Sequence, residues 1–546
     1  MLRPLLVGVA VVFLSACEGG DINIRPSTTD ASVDNSVNNS NNTSASASDD
    51  DVCASYTNSG GQLIQGSFDG TNCVYSPAFV DAGNNLTVDM TIPRLDGGGA
   101  HVFEGSLFVG ESFDNDAALA AAGIDEGGDG PVLTVEAGAT LAFQSSADFL
   151  IINRGSQLFA VGTASDPITF TSVSDVEGTV GFDDVQQWGG MVINGFGVTN
   201  KCAYTGSVAG GDLATTDCHV DAEGAAGLDE SQYGGDNNED SSGRLEYVVV
   251  KHTGATVGNG DELNGISFGG VGSNTIVRNL QVYSTFDDGI EMFGGAVSFE
   301  NFVAVYVRDD SIDIDEGWSG SITNALVIQA EADGNHCIEA DGIGSFSSLT
   351  PTEIEDTITQ GINSRPTISN LTCIISPNSA ATATHDPGAG FRLREGLFPT
   401  INDTIVIGTQ APDSVDSNYC LRIQDRSDQA AEDGDLVFDS VVFACEEPTN
   451  GGSLPGGQTV EDWAAANGAQ FATITGVTDP TATADTDLQL LEGTPPIYSI
   501  DNATMVIDGA APINAPTSGA FIGALSLSET DWAMGWTYGI YDGNRA

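Results

Sequence analysis

Four lines of sequence in one phase decide the fold: Leu263-Asn264-Gly265-Ile266-Ser267-Phe268, Asp287-Asp288-Gly289-Ile290-Glu291-Met292, Asp309-Asp310-Ser311-Ile312-Asp313-Ile314 and Asn335-His336-Cys337-Ile338-Glu339-Ala340. Their central isoleucines, at 266, 290, 312 and 338, are 24, 22 and 26 residues apart. Within each line, apolar residues alternate with polar or charged ones, and this period of two is typical of a β-strand with two different faces. The lines therefore predict short strands that recur at nearly constant spacing.

A second short strand follows each line, as in residues 275–280 and 298–302, and the alternation returns in residues 391–394 and 421–424. A repeat of roughly twenty residues, built from strands and turns, is the signature of a solenoid. One turn of a solenoid cannot bury its apolar side alone, so neighbouring turns stack around a common core. We therefore predict an all-β fold, a right-handed parallel β-helix with N- and C-terminal caps.

The other segments are assigned around this solenoid. Residues 18–51 are rich in Ser, Asn, Asp and Thr and nearly free of apolar residues, which predicts a disordered tether. An insertion in a solenoid projects as a loop from one face, often the binding face. The aromatic tail is expected to cover the final coil. The predicted segments are a signal peptide at 1–16, the tether at 17–52, an N-terminal cap with a disulfide at 53–99, the β-helix at 100–445 with a loop insertion at 200–242, and a C-terminal coil and cap at 446–546.

The N-terminus has the features of a lipoprotein signal peptide. Arg3 precedes an apolar run at residues 5–13, which is too short to span a bilayer. The following Leu14-Ser15-Ala16-Cys17 resembles the lipobox of bacterial lipoproteins, and this resemblance implies that Cys17 is lipidated. Glu18 differs from the aspartate that retains such proteins at the inner membrane. We therefore expect an outer-membrane protein, facing the cell surface or the periplasm, that touches the membrane only through its lipid.

The charge of the chain excludes one class of partner. Lys and Arg number 15 and Asp and Glu 77, so the net charge is −62. Such a chain repels nucleic-acid phosphates and attracts cations. Adaptation to a saline medium and binding of divalent cations both explain the excess, and the sequence leaves both open.

Eight cysteines remain when Cys17 is set aside. Their even number in an exported chain predicts disulfides. Proximity favours one pairing, although eight cysteines allow 105. The favoured pairs are Cys53 with Cys73, Cys202 with Cys218, Cys337 with Cys373, and Cys420 with Cys445.

Several lines resemble a family of exported bacterial β-helix lipoproteins. They are Trp188-Gly-Gly-Met-Val-Ile, Asp287-Asp-Gly-Ile-Glu-Met-Phe-Gly-Gly, Asp309-Asp-Ser-Ile-Asp-Ile-Asp-Glu-Gly-Trp, Phe391-Arg-Leu-Arg-Glu-Gly and the closing Asp531-Trp with Gly535-Trp-Thr. The resemblance covers roughly residue 99 to the end. It implies export, a β-helix fold and a surface location. It does not imply an activity, because the family has no settled one.

Strand geometry predicts a column of charged side chains on an outward face. Alternate side chains point to opposite faces of a strand, and stacked strands lie about 4.8 Å apart. If the isoleucines point inward, the residues after them point outward, as do those two positions further on. The predicted exposed column contains Glu291, Asp313, Asp315, Glu339 and Asp341, followed by Arg392, Arg394 and Arg422.

Such a column needs a counter-charge, because like charges that face each other destabilise a sheet. Ca²⁺ accepts several carboxylate oxygens with loose geometry. A salt ladder to the arginines and plain solvation are the alternatives. The predicted calcium ligands are Glu291, Asp313, Asp315, Glu339 and Asp341, with Asp288 and Asp310 at the turn edge.

This layout is similar to that of β-helix polysaccharide lyases, in which acidic residues hold calcium and a nearby Arg or Lys abstracts a proton. The resemblance implies Arg392 and Arg394 as candidate bases. The layout is also similar to β-helix glycosidases, which use paired aspartates. The complete catalytic signature of either class is missing from the sequence.

Three functional hypotheses follow. We favour a surface lipoprotein that binds an extracellular glycan or another surface component with the support of Ca²⁺. The second hypothesis is a calcium-dependent polysaccharide lyase or glycoside hydrolase, and the third is a structural or adhesive surface protein.

Overall fold

The computed structural model describes residues 52–223, 231–256, 262–330, 334–376, 388–408, 419–472, 500–501, 516–517, 521–525 and 531–540. The predicted signal peptide, the lipidation site Cys17 and the tether up to residue 51 lie outside the described residues. Within the described ranges, no helix is both long enough and apolar enough to cross a membrane.

Most strands of the described chain belong to two long sheets, which we call sheet A and sheet B. Sheet A has ten strands, in which every neighbouring pair is parallel. Its strands are β7 (Leu107–Val109), β10 (Phe149–Ile152), β13 (Gly190–Asn194), β17 (Ile266–Gly269), β19 (Ile290–Phe293), β21 (Ile312–Asp315), β23 (His336–Asp341), β25 (Ala389–Arg394), β27 (Tyr419–Ile423) and β29 (Glu447–Thr449).

Sheet B has sixteen strands, and all of its pairs except the first, β3 with β4, are parallel. Its strands are β3 (Ser67–Phe68), β4 (Cys73–Tyr75), β5 (Met90–Ile92), β6 (His101–Phe103), β8 (Val132–Val135), β9 (Thr140–Phe143), β11 (Gln157–Val161), β12 (Ile168–Ser172), β16 (Gly243–Lys251), β18 (Ile276–Tyr283), β20 (Ser298–Val305), β22 (Ser321–Ile328), β24 (Thr367–Ile375), β26 (Thr400–Gly408), β28 (Val437–Ala444) and β30 (Ala469–Phe471).

The remaining elements are short and lie in caps, insertions and the tail. The strands among them form three antiparallel pairs. These elements are β1 (Ser55–Thr57), β2 (Leu63–Gln65), β14 (Val220–Asp221), β15 (Gln232–Tyr233), β31 (Ile500–Asp501), β32 (Phe521–Ile522), α1 (Asp116–Ala122), α2 (Val173–Val176), α3 (Pro351–Gln360), α4 (Ser427–Asp433), α5 (Val460–Ala466) and the 3₁₀ helices Asp96–Gly98 and Phe346–Ser348.

From β16 onward the chain alternates between the two sheets, coil after coil, so the predicted parallel β-helix is confirmed. The isoleucines of the four lines stack as predicted, because Ile266, Ile290, Ile312 and Ile338 pair in register and all four are 0% exposed. Their side chains belong to one continuous core between the sheets. The alternation in the sequence thus sets which side of each strand is buried.

The long strands of sheet B turn a corner at one residue each. Asn279, Asn301 and Asn324 occupy this corner with φ of 52°, 62° and 58°. Asparagine tolerates this left-handed conformation better than most residues. The amide of Asn301 donates to Asn279 at 3.0 Å, and the amide of Asn324 donates to Asn301 at 2.9 Å. These stacked amides fix the register of successive coils.

The four predicted disulfides are present with the favoured pairing. The bond between Cys337 and Cys373 joins β23 of sheet A to β24 of sheet B, and both cysteines are 0% exposed. The bond between Cys420 and Cys445 lies two coils further on and joins β27 to the residue that follows β28. Two covalent links therefore cross the interior of the later coils.

The aromatic C-terminal tail was expected to cover the final coil, and this expectation is wrong for the described part of the tail. Trp463 of α5 covers the last coil, where its ring is 5.5 Å from that of Phe438. The described part of the tail instead packs along the outer, apolar side of sheet B. There Trp536 contacts Tyr247, and Gln281 makes two hydrogen bonds to the backbone of Tyr538. The tail finds this position because the outer side of these strands is apolar as well.

Candidate functional site

Sheet A carries one outward row of side chains that changes character along the solenoid, and we call it the outer row. Its members occupy one register position on successive strands. The row is apolar at its N-terminal end, acidic in the middle and basic at its C-terminal end. In order, it contains Phe108, Ile151, Val192, Ser267, Glu291, Asp313, Glu339, Arg392 and Arg422.

The expectation that the acidic column is exposed is wrong. Glu291 is 8% exposed and Glu339 is 7% exposed, and Asp313 is only half-buried. Asp288 and Asp310 at the turn edge are also buried, and so is Asp341, two positions after Glu339. Charged side chains are rarely buried to this extent unless they are paired or bind a metal.

The insertion and the residues just before β17 cover the apolar beginning of the outer row and reach Glu291. Ala222 and Tyr233 from the insertion and Leu263 pack on the apolar beginning of the row. Asn264 donates to Oε2 of Glu291 at 2.6 Å and to Oε2 of Glu223 at 3.3 Å. The insertion predicted at 200–242 therefore forms a wall of this site.

Asp288, Glu291 and Asp313 form a tight group that we call the acidic cluster. One carboxylate oxygen of each lies within 4.8 Å of the others. Burial raises the pKa of all three well above the usual value, and neighbouring carboxylates raise it further. In the described part of the chain, none of the ion pairs involves these three side chains. Among the described residues, the cluster thus gathers three carboxyl groups without a protein counter-ion.

A second acidic group borders the cluster at the turn edge. Glu262, Asp287 and Asp309 bring carboxylate oxygens within 4.8 Å of one another, and Asp288 approaches Asp309 in the same way. The amide nitrogen of Asn335 donates to Asp309. The amide oxygen of Asn335 is buried and accepts no hydrogen bond from any described residue, so it offers an oxygen ligand beside the carboxylates.

The basic end of the row neutralises Glu339 and Asp341. Arg392 binds Glu339 at 3.0 Å, and Arg394 binds both Glu339 and Asp341. Burial alone would raise the pKa of Glu339, but His336 and the two arginines outweigh burial and hold this pKa at about 2. At this end, the salt-ladder alternative describes the structure, and these two predicted calcium ligands already have partners.

His336 is a site residue that sequence reasoning missed. Its backbone N and its Nδ1 lie 2.6 and 2.8 Å from Oδ1 of Asp310, and its Nε2 lies 3.0 Å from the hydroxyl of Tyr419. Burial alone would lower the pKa of His336, but Asp310 and Glu339 raise it well above the usual value. Burial raises the pKa of Asp310 to about 7, although His336 opposes this shift. His336 precedes Ile338 by two residues, so strict alternation would place it on the inward face. It lies beside Glu339 instead, because the adjacent Cys337 also enters the core, and its partner Tyr419 is 83 residues away.

Asp315 lies apart from the acidic cluster. Its Oδ1 accepts a hydrogen bond of 2.6 Å from the backbone of Glu316. Glu316, which the sequence pattern did not single out, accepts hydrogen bonds from Thr199 and Tyr233 and lies 3.5 Å from Nζ of Lys201. This carboxylate therefore ties the insertion to the solenoid.

The raised pKa values predict how stability depends on pH. A carboxyl group with a raised pKa binds more protons when folded, so its contribution to stability falls as pH rises from the usual pKa to the raised one. In chelator, we expect the melting temperature to rise when pH is lowered from about 8 to about 5.5, since burial raises the pKa of Asp310 to about 7 and those of the cluster well above normal. Differential scanning calorimetry at several pH values measures this slope. An Asp288→Asn, Glu291→Gln, Asp313→Asn variant should show a smaller slope, and an unchanged slope would refute the assignment.

The comparisons with known proteins agree with this architecture. A family model described as a pectate-lyase-like β-helix domain matches residues 121–486. Comparison with curated proteins and with solved structures finds no match for the chain. The matched region includes the strands of both sheets from β8 to β30, the insertion and the whole acidic part of the outer row. Because the match covers well over half of the sequence, the chain belongs to the family of pectate-lyase-like β-helix domains.

Proposed function

We propose that this protein is a lipid-anchored outer-membrane protein whose β-helix binds an extracellular glycan with the support of Ca²⁺. The observation that supports the proposal is the acidic cluster, in which three carboxylates meet with no cationic partner in the described part of the chain. Bringing such charges together in a protein interior costs several kcal/mol or more unless they are paired, protonated or bound to a metal. A bound divalent cation offsets this cost at neutral pH.

The donor set favours calcium among the common divalent cations. The cluster and the turn edge offer carboxylate oxygens together with the unused amide oxygen of Asn335. Ca²⁺ takes six to eight oxygen ligands in flexible geometry, whereas Mg²⁺ demands a regular octahedron and keeps several waters. The oxygen ligands that we assign to the cation are those of Asp288, Glu291 and Asp313, with Asp309 and Asn335 beside them.

Membership of the family supports a polysaccharide as the ligand. The arginines at the basic end support an anionic one, because Arg binds carboxylate and sulfate groups in a bidentate manner. The side chains of Arg392 and Arg394 are 21% and 23% exposed, so solvent reaches both. A chain of sugars would contact these arginines at the basic end of the outer row, and the cation would neutralise the buried carboxylates beside them.

Catalysis is the second candidate, and the geometry favours it less. A lyase base must accept a proton, but Arg392 and Arg394 both hold buried carboxylates. These carboxylates raise the pKa of Arg394 above its usual value even though burial opposes the shift. An assay for unsaturated products and for new reducing ends, on several anionic polysaccharides, separates a lyase or hydrolase from a binding protein.

A glycan array in calcium and in chelator tests the proposed function. We expect retention of one class of anionic glycan in calcium and its loss in chelator. The Asp288→Asn, Glu291→Gln, Asp313→Asn variant should lose retention under both conditions, whereas Asp433→Asn, at an exposed position of α4, should behave like the wild type. Retention that is indifferent to calcium would refute the role of the cation, and a lack of retention would favour the structural or adhesive hypothesis.

The membrane anchor gives a separate prediction. Replacement of Cys17 by Ser should leave the chain without its lipid, because only the cysteine thiol forms the thioether. We expect the variant to move from the membrane fraction to the soluble fraction, as measured by detergent phase partition. If Cys17→Ser partitions like the wild type, the proposed anchor is wrong.

A further inference from the structure

We propose that a cavity between α1 and the insertion is a second binding site, which takes a small organic cation with a primary ammonium group and an apolar body. The cavity has a volume of about 400 Å³, which lies within the range of small-molecule sites. It is lined by α1, by the turn before β11 and by the insertion around Cys218 and Gly234. It shares no residue with the acidic cluster.

The floor of the cavity is apolar. Leu119, Ile124 and Phe196 line it, and they are 6%, 8% and 7% exposed. They form a small cluster of their own with Phe113, separate from the main core. A ligand with an apolar body can bury surface here, and burial of apolar surface favours binding.

Among the described residues that line the cavity, Arg154 is the one cation, and it is already engaged in protein hydrogen bonds. Arg154 is 3% exposed, and its Nη1 donates to the carbonyls of Cys218 at 3.0 Å and Gly234 at 2.7 Å. Its Nη2 donates to the carbonyl of Phe113 at 2.8 Å. Burial lowers the pKa of Arg154 to about 10, so the side chain stays charged at neutral pH. This arginine holds the cavity together rather than offering its donors to a ligand.

The contact between Arg154 and His219 sets the tautomer of the histidine. Nη2 of Arg154 lies 2.7 Å from Nδ1 of His219. A guanidinium can only donate, so Nδ1 must accept and the proton sits on Nε2. That N–H points to two carboxylates, because Nε2 is 2.9 Å from Asp116 and 3.3 Å from Asp217. His219 in this tautomer has no lone pair for a metal at Nε2, so the group formed with Asp116 and Asp217 is unsuited to a metal ion.

The remaining charge at the cavity is negative and accessible. Asp116, Asp125, Asp217 and Asp236 line the cavity, and all four are exposed. The side chains of Asp116 and Asp217 are 59% and 78% exposed, so their remaining acceptor positions face solvent. An ammonium group offers several donors to these carboxylates, while the apolar body of the ligand rests on Phe196 and Leu119. Neither an anion nor a neutral apolar molecule satisfies both parts of the lining.

Titration calorimetry with a matched pair of probes tests this site on the full chain, in calcium and at low salt. The probes are 2-phenylethylamine and the neutral 2-phenylethanol, which have nearly the same shape. We expect the amine to bind at least about tenfold more tightly than the alcohol, a preference that should weaken at high salt. The Asp116→Asn, Asp217→Asn variant should lose this preference, whereas Asp433→Asn should retain it.

A cavity-filling variant separates the cavity from general surface charge. Ala120 lines the cavity and is exposed on α1, so Ala120→Trp can fill the space without disturbing the core. We expect Ala120→Trp to melt like the wild type and to bind neither probe. The proposal is overturned if the amine fails to bind at millimolar concentration or if amine and alcohol bind equally. It is also overturned if the Asp116→Asn, Asp217→Asn variant or the Ala120→Trp variant binds the amine like the wild type.

Discussion

Replacement of Ile312 by Asp is expected to abolish cooperative folding of several coils at once. Ile312 is 0% exposed and lies between Ile290 and Ile338 on neighbouring strands. A charge placed there has no partner, and the cost of several kcal/mol or more is comparable to the whole stability of a typical domain, about 5–15 kcal/mol. Urea denaturation followed by circular dichroism measures the loss.

Introduction of an aspartate at an exposed strand position is the control. Thr367 begins β24 and is exposed, and its partners Ser321 and Thr400 are uncharged. We expect Thr367→Asp to change the free energy of unfolding by less than about 1 kcal/mol. Equal damage from the two variants would show that the inward and outward phase of the strands is misassigned.

Removal of Arg394 should be the next most damaging change. Its guanidinium binds Glu339 and also Asp341, with Nε 2.5 Å from Oδ1 of Asp341, and both carboxylates are buried. Breaking a buried ion pair on one side costs about 3–5 kcal/mol, because the other charge remains buried. We expect Arg394→Ala to cost about 3 kcal/mol in urea denaturation, at the lower end because the arginine is partly solvated.

The chain offers a matched control for this prediction. Arg278 and Glu300 form an ion pair at 2.9 Å whose side chains are each 51% exposed. Such surface pairs contribute about 0–1 kcal/mol, so Arg278→Ala should have little effect. If Arg394→Ala and Arg278→Ala cost the same, the basic end of the outer row does not neutralise buried carboxylates.

The fold could be predicted from the sequence because the solenoid repeats one local rule. Ile266, Ile290, Ile312 and Ile338 share a phase, and the pairing register of their strands follows from that phase. Proximity along the chain also favoured the four disulfides that the structure contains. The position of the tail was not predictable from the repeat, because the sequences of the sheet B strands do not show which segment covers their outer side.

The candidate site was predictable only in part. The stacking of Glu291 on Asp313 and of Asp313 on Glu339 follows from strand geometry. Their burial does not follow, because the insertion, which reaches Glu291 through Glu223 and Asn264, has no periodic pattern. Contacts between distant segments, such as His336 with Tyr419, likewise leave no trace in a single sequence.

The central claim is that a divalent cation neutralises the acidic cluster. Scanning calorimetry of the wild type and of the Asp288→Asn, Glu291→Gln, Asp313→Asn variant, each in calcium and in chelator, tests this claim most directly. A cation that binds only the folded chain stabilises it by about 2.7 kcal/mol at 100 times its dissociation constant. Calcium should therefore raise the melting temperature of the wild type but leave that of the variant unchanged, and in chelator the variant should melt above the wild type because the repulsion is gone. A wild type that does not respond to calcium, or a variant that responds equally, would contradict the claim.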